Sequence, residues 1–280
     1  MDMQTNASFR KEFLAFFRTN KFLILALVLI GLSILNPLMY AGRNSMMDLI
    51  SDVYGELGMD VSGLTDALNS PSSSQGVSSA IMDITQTSLI VFLLVINSNA
   101  GGELKKRSVM IPRSAGLQSF SYIFPKFIVY PLAGFVLALA SAFASWGISS
   151  VIFQDNDVVF LGVLLGGALV GVCMMFYICA HITIGTATGK AGLSATVCIL
   201  VSLILPNAFM LFGSERVYNP FMLNVLAATA VTKEGLSILQ PVEVIVTVLF
   251  TLALMAIMFF VALFAQNARK IDNTGNEIRI

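Results

Sequence analysis

The chain has 280 residues, 56% of them hydrophobic and 11% charged, with a mean hydropathy of +0.84, which excludes an ordinary soluble domain, a disordered chain and a disulfide-stapled secreted fold. Sixteen Lys and Arg balance sixteen Asp and Glu, so no net field gathers nucleic acid and the placement of charge carries the information. This composition predicts an all-α integral membrane protein forming a single transmembrane domain over residues 1–280.

Residues 1–21 come first. Phe9, Phe13, Phe16 and Phe17 recur at helical spacing among Arg10, Lys11, Arg18 and Lys21. The pattern predicts an amphipathic helix in the inner-leaflet interface, with aromatic rings in lipid and basic groups toward anionic headgroups. A solvated tail is the competing reading.

A spanning helix needs about 20 apolar residues, from about 30 Å of hydrocarbon at about 1.5 Å per residue. Six such runs are expected, near 22–41, 80–97, 127–150, 158–187, 192–213 and 243–265, the fourth long enough to tilt. The first is too long for a typical signal core, and Met39-Tyr40-Ala41 is a poor cleavage site, so it is expected to stay. Asn36-Pro37 and Pro206 read as kinks or helix ends.

Residues 42–79 carry Asp48, Asp52, Glu56, Asp60 and Asp66 with Leu49, Val53, Leu57 and Leu64 between them, then break at Ser70-Pro71-Ser72-Ser73-Ser74. They predict a small acidic outer helical cap followed by a flexible loop. The second span carries Thr85, Gln86, Thr87 and Ser88 in succession, just after Asp83. Four polar side chains are costly in lipid, so part of this turn is expected to face the bundle interior, a subunit interface or a wet translocation path.

In the fourth span, Gly162, Gly166, Gly167 and Gly171 set two overlapping small-xxx-small pairs, which admit a neighbouring helix closely. His181 is the only histidine and has no acidic neighbour in that helix. It is read as a neutral, hydrogen-bonded structural group rather than a proton relay. Cys173, Cys179 and Cys198 lack Cys-x-x-Cys spacing and read as small core residues. Gly185-Thr186-Ala187-Thr188-Gly189-Lys190-Ala191 resembles a phosphate loop but is one residue short between its glycines, with Ala191 where a hydroxyl would hold magnesium. It is expected to be an inter-helix turn. Residues 214–242 include Pro220 to Val231, a hydrophobic stretch too short to span and suited to a re-entrant segment in the outer leaflet. No HExxH, GxSxG or metal-ligand set occurs, so neither a catalytic residue nor a metal site is assigned.

With the N-terminus in the cytosol, Arg10, Lys11, Arg18, Lys21, Lys105, Lys106, Arg107, Arg113, Lys126, Lys190, Arg269, Lys270 and Arg279 fall inside. Only Arg43, Arg216 and Lys233 fall outside. The positive-inside rule therefore predicts a plasma-membrane protein with both termini cytosolic.

The segment after the second span reads Gly102-Glu103-Leu104-Lys105-Lys106-Arg107-Ser108-Val109-Met110-Ile111-Pro112-Arg113-Ser114, with Pro125-Lys126 at re-entry. An acidic residue after helix two, basic residues, a short apolar stretch, a proline with Arg and Ser, and a lysine opening helix three together resemble permeases of the type-2 ABC exporter class. Glu103, Arg107, Pro112, Arg113 and Lys126 are the matching positions. Pro112-Arg113-Ser114 reverses the more usual order, and Lys106-Arg107 stands where many relatives carry Gly-Thr.

The resemblance implies that 98–126 is a cytosolic coupling loop docking in a separate ATPase subunit, which would bind ATP and magnesium; this chain would bind no cofactor of its own. Lys105, Lys106, Arg107, Val109, Met110, Ile111, Pro112 and Arg113 would form the contact, with Glu103 at its stem. A second permease copy, identical or related, would complete a central pathway. Lys126 joins the four phenylalanines as an interfacial anchor. The expected function is ATP-driven export of hydrophobic or amphipathic cargo, most readily peptides, with a small ion, an antibiotic or a lipid as rivals. An ion-driven secondary transporter and a non-transporting scaffold stand as alternatives from other classes.

Overall fold

The computed structural model describes the backbone of residues 3–56, 72–105, 116–153, 157–211, 219–271 and 277–279, and their side chains except at 43–56, 105, 210 and from 269 onward. Among the described residues, six helices are long and apolar enough to cross a membrane: Lys21–Gly42, Ser73–Gly102, Ser119–Ile152, Phe160–Thr188, Ala191–Phe209 and Pro241–Asn267. They are called the first to sixth spans below. Among the described residues the elements are helical apart from a short antiparallel pair, Arg269–Ile271 with Glu277–Arg279.

Local chemistry sets the helix ends. The N-terminal helix Met3–Arg18 passes into the first span through Asn20, whose φ of 56° lies in the left-handed region that Asn tolerates. The first span continues as helix to Glu56, so helix occupies part of the expected outer cap; residues 57–71 of that cap lie outside the described residues. The expected break at 70–74 ends sooner than predicted. Ser72 caps the second span by accepting from the Gln75 N–H at 3.3 Å, so Ser73–Ser79 are helical rather than loop. Gly189, at φ 67°, closes the fourth span in the left-handed conformation, and Ala191 opens the fifth. Pro37 and Pro206 both lie inside continuous helix instead of ending it.

The fourth span is the most enclosed of the six, and the third, fifth and sixth pack around it. Its glycines explain how. A Cβ on Gly162 would stand 2.3 Å from the Ala230 carbonyl oxygen, and one on Gly166 would stand 2.6 Å from that of Ala227. The short apolar helix Leu223–Ala230 therefore lies directly against the fourth span. On another face, Gly167 and Gly171 admit Leu139 and Phe135 of the third span. Asn219 caps this outer segment by accepting from the Phe221 N–H at 3.1 Å, and Val158 pairs with Thr232 as an isolated antiparallel bridge.

Ile81, Phe92, Tyr130, Met174, Ile178 and Leu226 meet in one core cluster. On the third span, Ser141, Ser145 and Ser149 recur every fourth residue and are fully buried, small enough for close helix approach.

Gly162→Ala is expected to lower stability by about 1–3 kcal/mol, because its methyl meets backbone rather than a side chain that can turn away. Gly31→Ala, with nothing within 4 Å of the added carbon, should be neutral or slightly stabilising. Thermal unfolding of the two variants in detergent checks the contrast.

Candidate functional site

At the end of the bundle that carries Lys21, Lys126 and Lys190, three chain segments meet on a buried charge cluster. Lys126, near the start of the third span, is 0% exposed. Its ammonium reaches Glu12 of the N-terminal helix at 3.2 Å and Glu103, just beyond the second span, at 2.7 Å. It also donates to the Asn99 carbonyl at 2.8 Å, so all three of its donors are engaged. The Tyr122 ring lies 4.7 Å below the ammonium.

Both carboxylates are shared further. Glu12 accepts from the Tyr130 hydroxyl at 2.6 Å and from the Asn99 side-chain amide at 3.3 Å. The Tyr122 hydroxyl donates to Glu103 at 3.0 Å, and Lys11 reaches the other Glu103 oxygen at 3.0 Å. Lys21, opening the first span, donates to Ser98 at 3.0 Å and to the Asn99 side-chain oxygen. Burial alone would raise the Glu103 carboxyl, but the charges of Lys126 and Lys11 outweigh it and bring the group down to about 2.

The backbone beneath is equally specific. Residues Ser98–Gly102 form a π-helical turn, and a Cβ on Gly101 would stand 2.7 Å from the Gly185 carbonyl oxygen. The end of the second span thus rests on the end of the fourth, backbone against backbone.

This geometry corrects several expectations. Lys126 is an enclosed ion-pair centre, not an anchor at a headgroup surface. The N-terminal helix turns Thr5, Glu12 and Phe16 into the protein, and Thr5 shares a 2.9 Å hydrogen bond with Ser121. Phe16 belongs to the core; only Phe13 and Phe17 are exposed, and Phe9 is half-buried against the core. The expected loop over 98–126 is shorter, since helix continues to Lys105 and resumes at Ser119. Lys106, Arg107, Val109, Met110, Ile111, Pro112 and Arg113 lie outside the described residues, as does the Lys105 side chain.

Glu12, Asn99, Tyr122 and Tyr130 were not singled out from sequence. Glu12 had a usable signal: it sits at helical spacing with Phe9 and Phe16, on the face that should be apolar, and a carboxylate there needs a partner.

A second polar constellation lies deeper. Residues Ile84–Ser88 form another π-helical turn, a feature that recurs at functional sites. The turn divides its side chains. Thr85 and Ser88 are buried, Thr85 donating to the Met82 carbonyl at 3.0 Å, while Gln86 is half-buried and Thr87 exposed. Just before it, Asp83 accepts from the Asn36 amide of the first span at 2.8 Å. His181 is fully buried, its Nδ1 sharing a 2.9 Å hydrogen bond with Ser194 of the fifth span, which also donates to the Ala191 carbonyl. The three cysteines are buried and unbonded to one another, and no cluster of metal-ligating side chains occurs among the described residues.

Lys126→Met would leave the buried Glu12 with only the exposed Lys11 ammonium, at 3.5 Å, as counter-charge and is expected to cost about 3 kcal/mol; the double variant Glu12→Gln, Lys126→Met should recover part of this, as the buried carboxylate goes with its cation. Thermal unfolding of the single and double variants measures the coupling. Glu103, with its depressed carboxyl, contributes stability that is complete above its ordinary value of 4.5 and lost as pH falls through about 2. The stability gap between wild type and Glu103→Gln should accordingly hold constant near neutrality and close between pH 5 and 2, in acid unfolding followed by circular dichroism.

No protein-family model matches the chain, and neither a curated protein nor a solved structure matches it.

Proposed function

We propose that this chain is the membrane-spanning subunit of an ATP-driven exporter of the type-2 ABC class. The observation that carries the reading is the Glu12–Lys126–Glu103 cluster at the foot of residues 106–115. Both stems of that segment, at Glu103 and at the start of the third span, are tied to each other and to the N-terminal helix. A push on the segment is thereby delivered to three elements at once, which is what a docking loop driven by a separate ATPase requires. ATP and magnesium belong to that partner, and this chain performs no bond chemistry.

The outward faces of the spans support a second copy. The sixth span presents Ile245, Leu249, Leu252, Ile257, Phe260 and Phe264 outward, as lipid contact demands. The second and fifth spans, which pack against each other, expose Thr87, Thr196 and Asn207 among outward apolar side chains such as Leu94, Leu200 and Ile204. Polar groups on an outward membrane face suit a partner subunit or a wet pathway between copies. The basic end is cytosolic by the positive-inside rule, in the plasma membrane, and the N-terminal helix lies there along the inner-leaflet interface with Phe13 and Phe17 toward lipid. The Pro220–Ala230 segment dips into the outer leaflet. Cargo is hydrophobic or amphipathic, with peptides foremost.

Co-expression with an ABC ATPase encoded beside this chain, purification through a tag on the permease, and ATPase measurement in lipid test the proposal. The ATPase is expected to co-purify. A Val109→Asp, Met110→Asp, Ile111→Asp variant should lose association by on the order of tenfold or more, since a charge forced into an apolar contact costs over about 1.4 kcal/mol. Failure of any ATPase to bind the intact chain overturns the exporter reading, and an ion-driven transporter or a scaffold takes its place.

A further inference from the structure

Two cross-links between the first and second spans fix the depth of one carboxylate. Lys21 donates to Ser98 at the basic end, and Asn36 donates to Asp83 further along the same pair of helices. Each link is separated from the other by 15 residues on both helices, about 22 Å at helical rise. With Lys21 at one membrane boundary and a hydrocarbon layer of about 30 Å, Asp83 lies inside the apolar layer. Tyr40 and Ser79, bonded at 2.8 Å, lie one helical turn farther out.

Asp83 is half-buried, and among the described residues no basic side chain comes within ion-pairing distance of it. Its described partner is the neutral Asn36 amide, which engages one carboxylate oxygen. An ionised carboxylate has room for about four hydrogen-bond or coordination partners, so the described residues use only a small part of that capacity. Gln86 and Thr87 follow about one turn later on the Ile84–Ser88 π turn. These are neutral oxygen donors about one turn along the same helix from the carboxylate, on a turn that contacts the first, fourth and fifth spans. An intramembrane carboxylate with no counter-ion among the described residues, next to hydroxyl and amide oxygens, has the chemistry of a cation site.

We propose that Asp83, with Gln86 and Thr87, binds a compact monovalent cation within the membrane. Its source is the ammonium group of an amphipathic cargo molecule or a free alkali-metal ion. The site itself stands on Asp83 and the π turn; assigning the cation to cargo rests on the exporter reading.

The test uses the purified full chain in phosphatidylcholine nanodiscs without an ATPase, so its outcome is independent of whether that partner binds. Thermal unfolding is followed against sodium chloride, with choline chloride holding ionic strength, and separately against octylammonium, with octanol as the uncharged control. Wild type should show a saturable rise in midpoint of about 2–4 °C with sodium, octylammonium or both. Asp83→Asn keeps an oxygen for the Asn36 amide and the same shape, and should lose the rise; Asp83→Glu, which keeps the charge, should retain it. A response to octylammonium alone assigns the cation to cargo, and one to sodium alone assigns a free ion. No rise in wild type with either probe, or an equal rise in Asp83→Asn, overturns the proposal.

Discussion

An ammonium removed from water needs opposite charge and full hydrogen bonding, and Lys126 obtains both only when three distant parts of the sequence come together. Its position requires the N-terminal helix to be seated, because Glu12 has no other way to meet it. It equally requires the second span to end as it does, with Asn99 and Glu103 turned toward the third. Few apolar contacts are so demanding. Leucine against leucine tolerates a slide of an ångström, whereas an unpaired buried charge does not. The ion cluster therefore sets the relative register of these elements, and the aromatic and aliphatic packing around it supplies bulk stabilisation.

The six long helices were legible because hydropathy over about 20 residues is a cumulative signal, insensitive to single side chains. Their ends were less so. Helix at Ser73–Ser79 depends on one hydroxyl capping one N–H, and continuation past residue 97 depends on π-helical turns that no hydrophobic period announces. Gly162 and Gly166 were readable as a close-packing face, but not that their neighbour is the short Leu223–Ala230 helix. Pairing of that kind is a tertiary fact.

The N-terminal helix shows where one-dimensional reading fails. Phe9, Phe13, Phe16 and Phe17 suggest a single aromatic face, yet the buried face runs through Thr5, Glu12 and Phe16. Two polar residues proved to be inward, satisfied by Ser121, Lys126, Tyr130 and Asn99. A hydrophobic pattern cannot foresee this, because the partners lie about a hundred residues away. Along Thr85 to Ser88, by contrast, part of the turn is expected to face the interior, and the wide turn divides them so: Thr85 and Ser88 are buried, Gln86 is half-buried and Thr87 is exposed.

The π turns of the second span have a further consequence, one of angular phase. Each such turn holds one residue more than an α-helical turn, and one residue corresponds to about 100° of rotation about the axis. The Asn99 carbonyl and the Glu103 carboxylate face Lys126 with the rotation of the Ile84–Ser88 insertion upstream already built into the helix. Loss of a single residue from that stretch would make it α-helical, leaving the Ser98–Gly102 turn in place, and would swing the Asn99 carbonyl and the Glu103 carboxylate away from their cation, from about 16 Å off at helical rise. The length of the span's outer half is thus locked by a cluster that its own side chains do not touch.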